Sequence, residues 1–132
     1  MTVSVSEKET HLSLGRRGEE IACAFLTRNG YSIEARNYRC RMGEIDVVAT
    51  RRGFLAFVEI KTRRGDRFGR PEEAVHRLKQ RKLIQLAQWY LKATKTTDCS
   101  VAFDVVAVSF REEGEPEIRL IQDAFDAGAG IR

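Results

Sequence analysis

Apolar positions along this chain change their spacing repeatedly, and the changes mark out its elements. Over residues 12–29, Ile21, Ala22, Phe25 and Leu26 recur at helical spacing, and Gly30 supplies a stop. Gly18 shares that face and allows a close approach to a sheet. Residues 31–36 read as a strand, followed by a basic connection over 37–42 in which Tyr38 reads as core packing ahead of a stacking contact. Residues 44–49 and 54–62 are two β-rich runs, separated by the break Thr50-Arg51-Arg52-Gly53. A long second helix opens with Pro71 at its first position and Glu72 and Glu73 at its positive end. Val75, Leu78, Leu86, Ala87, Tyr90 and Leu91 supply its buried stripe, Trp89 reads as packing, and His76 as an ordinary surface histidine. Residues 101–110 are apolar on both faces and therefore central. They complete a β-α-β crossover that is expected to be right-handed. Residues 115–121 read as a short edge strand. The order is α-β-β-β-α-β plus an edge strand, an α/β domain with a mixed sheet flanked by helices. It spans residues 12–125 between tails at 1–11 and 126–132.

Register decides what the central hairpin presents. Strands turn alternate residues to opposite faces, so Glu44, Asp46 and Val48 share a side, as do Leu55, Phe57, Glu59 and Lys61. If Ala49 pairs with Phe54, Asp46 lies opposite Phe57 and Glu44 opposite Glu59, which gathers Glu44, Asp46, Glu59 and Lys61 on one patch. A slip of one residue would separate the two acidic sets. Val58 and Ile60 make the other face of the second strand apolar, as expected for a covered strand, and a carboxylate there needs a cation or strong donors. The alternative is an exposed hairpin with a charged end. The functional reading is a divalent-metal site of Asp46 and Glu59 with Lys61 beside it, and the carbonyl of Ile60 as a third ligand. Hard carboxylate oxygens suit Mg²⁺ or Mn²⁺.

The first helix offers one more ligand. At about 100° per residue, Glu19 borders the apolar stripe while Glu20 points nearly opposite it. Glu19 is therefore the residue able to reach the sheet, unless it serves only the helix dipole. Asp104, inside the strand over 101–110, reads as a structural or supporting acid.

The D-x(12)-E-x-K arrangement across a hairpin is similar to the PD-(D/E)xK signature of restriction-endonuclease-like nucleases, with Ile45 in place of the proline. The wider string of GEE-x-A, GEIDVVA, FVEIKTR, FG-x-PEEAV and FDVV resembles the uncharacterised bacterial YraN family, related to archaeal Holliday junction resolvases. The match runs over residues 15–125. The resemblance implies a restriction-endonuclease-like fold with Asp46, Glu59, Lys61 and Glu19 as catalytic residues, the three acids also holding metal. Related resolvases are symmetric dimers, which implies a homodimer.

Charge agrees with a polyanionic partner. The net charge is only +4, but residues 34–82 hold fourteen Lys and Arg against seven Asp and Glu. Arg39, Arg41, Arg63, Arg64, Arg67, Arg70, Lys79, Arg81 and Lys82 are the expected nucleic-acid contacts, those from Arg63 to Arg70 in a basic loop. No apolar run approaches the roughly 18 residues of a membrane span, and the first 18 residues lack a signal-peptide core. Cys23, Cys40 and Cys99 are odd in number without C-x-x-C spacing, which argues against a disulfide framework and for a reducing cytoplasm. Three functions share these residues: a metal-dependent DNA endonuclease selective for branched structures, a nucleic-acid-binding module on the same scaffold without turnover, and an RNA-processing nuclease.

Overall fold

A computed structural model describes residues 7–65 and 77–126, of which 7–12 are described as helix backbone alone. The elements are α1 (Glu7–Arg28), β1 (Ser32–Cys40), β2 (Gly43–Arg51), β3 (Phe54–Arg64), α2 (Arg77–Ala93), β4 (Ser100–Phe110) and β5 (Glu117–Ile121). They form one five-stranded mixed sheet in the order β1-β2-β3-β4-β5, antiparallel except for the parallel pair β3–β4. Two helices flank it, which is the α/β architecture expected of a restriction-endonuclease-like fold. Pro71, Glu72, Glu73, Val75 and His76 lie outside the described residues, as do Arg67 and Arg70.

Each helix covers one face of the sheet. Ala22, Cys23 and Leu26 of α1 pack with Val47, Ala49, Ala56, Val58, Val106 and Val108. Leu83, Leu86 and Ala87 of α2 pack on the other side with Ile45, Val48, Leu55, Phe57, Phe103 and Val105. The central strands are apolar on both faces because both faces are covered. Full burial of each Val, Leu, Ile or Phe among them contributes about 1.5–3 kcal/mol.

Two boundaries differ most from the pattern-based expectation. Helix α1 begins at Glu7, more than a turn before residue 12, because Glu and Lys favour helix without adding to an apolar stripe. Strand β1 continues through Asn37, Tyr38 and Arg39 to Cys40. Tyr38 packs edge-on against Tyr90 of α2, with ring centroids 5.0 Å apart. The expected stop of α1 does form: Tyr31 N–H donates to Leu26 O and Gly30 N–H to Thr27 O, with Gly30 at φ 90°.

On α2, Leu78 is 70% exposed and Trp89 is 40% exposed, so neither belongs to the buried stripe. Leu78 sits about 130° around the helix from the centre of Leu83, Leu86, Ala87 and Tyr90.

The β2–β3 hairpin corrects the expected register. Arg51 pairs with Phe54, and Ala49 with Ala56, so the chain reverses through Arg52 and Gly53 alone. Both adopt positive φ, 44° and 83°, the backbone of a type I′ turn whose twist matches the strands. Relative to Ala49–Phe54 the shift is two residues, which leaves the paired side chains of residues 47–51 and 54–58 on their expected faces.

Gly18 fixes the distance between α1 and the sheet. A methyl group there would lie 2.1 Å from Thr62 Oγ1, 2.8 Å from its Cγ2 and 2.9 Å from its Cβ. Gly18→Ala is expected to cost about 1–3 kcal/mol by overpacking. In a Thr62→Ala background, which removes the two closest contacts, at least about half of that loss should disappear. Urea unfolding of the two single variants and the double variant measures this. A Gly18→Ala protein as stable as the parent would mean that the helix does not approach this closely.

Candidate metal centre

Strands β2 and β3 part company where the acidic residues begin. The last pair of their ladder is Val47–Val58, although both strands run on. The alternation of faces also breaks there: Ile45 packs in the α2-side cluster and Val47 in the α1-side cluster, with Asp46 between them. Across the sheet, β1 pairs Arg36 with Val47 and Tyr38 with Ile45, so Asn37 stands at the level of Asp46, and its φ is 51°. Asn is among the few residues that tolerate this conformation. The distortion of two neighbouring strands at one level points Asp46 out of the ladder. Its Oδ2 instead accepts the Ile60 N–H of β3 at 2.8 Å.

The parting strands leave a cleft of about 280 Å³, lined by Glu44, Asp46, Glu59, Lys79, Lys82, Leu83 and Leu86. Helix α1 brings Glu19 close to two of these acids, Glu44 and Asp46. One carboxylate oxygen from each of Glu19, Glu44 and Asp46 lies within 4.8 Å of the others. Glu20 takes the opposite course: it is exposed and pairs with Arg36 at 2.8 Å. Glu59 is 6% exposed and belongs to the other wall. Its Oε1 lies 3.1 Å from Lys79 Nζ and 3.5 Å from Lys61 Nζ.

Thus Glu19 and Asp46 come together with Glu44, which strand parity had brought to the patch without a firm role. Glu59 shares the cleft but is drawn toward two lysines. Lys79, expected only as a nucleic-acid contact, is closer to Glu59 than the Lys61 of the strand motif. Nothing in the sequence pointed to that, because the contact joins a helix to a strand across the sheet face.

Electrostatics in the cleft are unfavourable to a full set of ionised acids. Burial pushes the Asp46 carboxyl up to about 7, and the charge on Glu59 pushes in the same direction. The Ile60 N–H opposes this, while Glu44 and Glu19 add to it. A carboxyl held so high by burial and neighbouring carboxylates fits a site built for a hard divalent cation. The donor set is all oxygen, and it converges from α1 and β2 with Glu59 nearby. A site of this kind releases protons when the ion binds.

The basic residues fall around this cleft unevenly. Arg39 Nε pairs with Glu44 at 2.9 Å while most of its side chain stays exposed. Arg41 is exposed in the turn between β1 and β2. Arg63 Nε donates to Gly65 O at 2.9 Å, and Arg64 is exposed at the end of β3. Arg81 is exposed on α2, and Lys82 lines the cleft with Lys79.

Asp104 lies away from the cleft, on the α1 side. It is 1% exposed and accepts from Arg51 Nε at 2.8 Å, the Tyr31 hydroxyl at 2.6 Å and the Asp123 N–H at 2.9 Å. These bonds make it a structural acid. Burial and the Asp104 hydrogen bond push Tyr31 up to about 12.

Residues 18–108 match the uncharacterised protein family UPF0102, and that span holds Glu19, Glu44, Asp46, Glu59, Lys61 and Lys79. The chain belongs to this family. A UPF0102 protein of Symbiobacterium thermophilum is 50% identical over 114 residues, covering 86% of this chain and 97% of its own. One from Syntrophus aciditrophicus is 42% identical over 120 residues, covering 91% and 94%. The UPF0102 protein of Clostridium perfringens is 36% identical over 119 residues, covering 89% and 98%. The resemblance to YraN read from the ordered motifs is therefore borne out as UPF0102 membership. Among the described residues no helix is long and apolar enough to cross a membrane, and Cys23, Cys40 and Cys99 are free.

Proposed function

We propose that this protein is a metal-dependent DNA endonuclease that acts on branched structures. The observation that carries the reading is the convergence of one carboxylate oxygen from each of Glu19, Glu44 and Asp46, at a cleft that Glu44 and Asp46 share with Glu59, beside which Lys61 lies. Glu19, Glu44 and Asp46 would hold Mg²⁺ or Mn²⁺, with Glu59 joining from the β3 wall. A bound ion of this kind neutralises a phosphodiester and lowers the pKa of its water. The remaining work falls to side chains. Asp46 is oriented by the Ile60 N–H, so its second oxygen is free to face the cleft. Lys61, partly exposed beside Glu59, would hold the attacking water or neutralise charge developing on a phosphate oxygen. Arg39, Arg41, Arg63, Arg64, Lys79, Arg81 and Lys82 would take backbone phosphates. Among the described residues no base-reading element accompanies them, in keeping with recognition of shape over sequence. Paired cuts in a four-way junction would need a two-fold dimer.

Incubation with Mn²⁺ and linear, flapped and four-way DNA tests the reading. Cleavage of the branched substrates is the expected result. Tight binding with no cleavage of any substrate would instead favour a binding module, and cleavage of RNA alone an RNA-processing role.

The two neighbouring glutamates of α1 sharpen the test. Glu19→Gln should lower metal-dependent cleavage at least about tenfold, or roughly 1.4 kcal/mol of transition-state stabilisation. Glu20→Gln should be nearly silent, because Glu20 faces solvent and pairs only at the surface. Gln keeps size and helix propensity, and melting curves serve as the folding control. The reverse pattern would exclude Glu19 from the site.

A further inference from the structure

Among the described residues, the cation nearest to Glu59 comes from the wrong element for a strand motif. Lys79 sits in the first turn of α2, and its Nζ reaches across the cleft to within 3.1 Å of Glu59 Oε1. Its side chain is 40% exposed, whereas that of Glu59 is 8% exposed. A carboxylate buried to that degree needs a positive partner at all times. Lys61, two residues along the same strand face, reaches Glu59 from β3 itself, at 3.5 Å. Lys79 is different. Its flexible stem leads from the helix surface, so its ammonium can leave Glu59 for another anion when a stronger cation takes over that carboxylate.

Resting on the metal site proposed above, we infer that Lys79 is a metal-gated phosphate ligand. In the metal-free protein it neutralises Glu59. When a divalent cation engages the carboxylates, it competes with the ammonium for Glu59 and repels it. Lys79 then turns to the DNA backbone lying in the cleft, next to Lys82 on the same wall. One consequence is that metal and DNA each strengthen binding of the other through this side chain. A second is that unproductive DNA binding without metal lacks one phosphate contact.

Lys79→Met and Lys79→Arg test this in the full chain, with Mn²⁺ affinity read by titration calorimetry. Affinity for a four-way DNA junction is read by anisotropy across a salt series, in Ca²⁺ and in EDTA. Lys79→Met should bind Mn²⁺ about fivefold more tightly than the parent, because a competing cation is gone. Its salt slope on DNA should fall short of the parent's by about 0.9 in Ca²⁺ and match it in EDTA. Lys79→Arg should follow the parent in both. Unchanged or weaker Mn²⁺ binding by Lys79→Met, or an equal slope deficit in EDTA, overturns the gating. A parent protein that binds no Mn²⁺ overturns the metal site and the gating together. Mn²⁺ binding by the parent without dependence on Lys79 overturns the gating alone.

Discussion

Asp46→Asn will yield a protein that is more stable than the parent above neutral pH and that no longer responds to Mn²⁺. The carboxamide oxygen can still accept the Ile60 N–H, so the local hydrogen bond survives while the charge is lost. In the parent, burial and the Glu59 charge lift Asp46 from its ordinary 3.8 to about 7. The folded state therefore holds that proton more tightly than the unfolded chain. This contribution to stability is fully present below about pH 4 and is lost as pH rises through about 7. The asparagine variant has no such loss, so the gap between the two proteins should open across that window. Above pH 7 it should reach on the order of 1–3 kcal/mol. Adding Mn²⁺ at pH 8 should reverse the order, because only the parent gains the linkage term from a bound ion. Cleavage should fall at least about a thousandfold, the scale of removing a main source of transition-state charge stabilisation. Melting curves at pH 5 and pH 8, with and without Mn²⁺, read all but the last. Equal Mn²⁺ stabilisation of both proteins would put the ion somewhere other than this cleft.

Much of this site was legible because its logic is local. Helical rotation separated Glu19 from Glu20, and Asp46 and Glu59 line one cleft even though the expected register was two residues out and the alternation of faces breaks at Asp46. An error of two preserves faces along the paired stretch, so Glu59 still stands on the face that parity assigned to it. The Arg52-Gly53 turn itself could have been read from its glycine, since a two-residue hairpin needs positive φ at both positions. What pattern could not supply is everything that depends on distant parts of the chain meeting. The break in alternation at Asp46 needs β1 beside it with Asn37 at φ 51°. The Lys79–Glu59 pair needs α2 folded over β3. Leu78 was misplaced because apolar character alone said nothing about a helix position about 130° from the buried stripe. Asp104 was recognised as supporting, but its partners lie 53 and 73 residues away in sequence.

Those distant partners set the largest stability effect expected in the molecule. Asp104 joins four separate stretches: Tyr31 after α1, Arg51 at the end of β2, its own strand β4, and Asp123 after β5. Gln122 adds a bond to the Tyr31 hydroxyl at 3.1 Å, and Arg51 also lies over the Phe54 ring. The Arg51 side chain is only 10% exposed, so an uncharged residue at 104 would leave a guanidinium buried without its main counter-charge. Removing one member of such a pair costs about 3–5 kcal/mol, well above the loss of an ordinary hydrogen bond. Asp104→Asn is therefore expected to unfold at markedly lower urea with an unchanged slope. Replacing both partners, as in Asp104→Leu with Arg51→Met, should recover much of that loss, because no unpaired charge remains. The part still missing would reflect Tyr31 and the Asp123 N–H, which lose their acceptor in both proteins. Cleavage per folded molecule should stay near the parent level in the double variant, since these residues line none of the cleft that holds Glu19, Glu44, Asp46 and Glu59. A single variant as stable as the parent would mean that the network is ornamental. A stable double variant without cleavage would move Asp104 from the scaffold into the reaction.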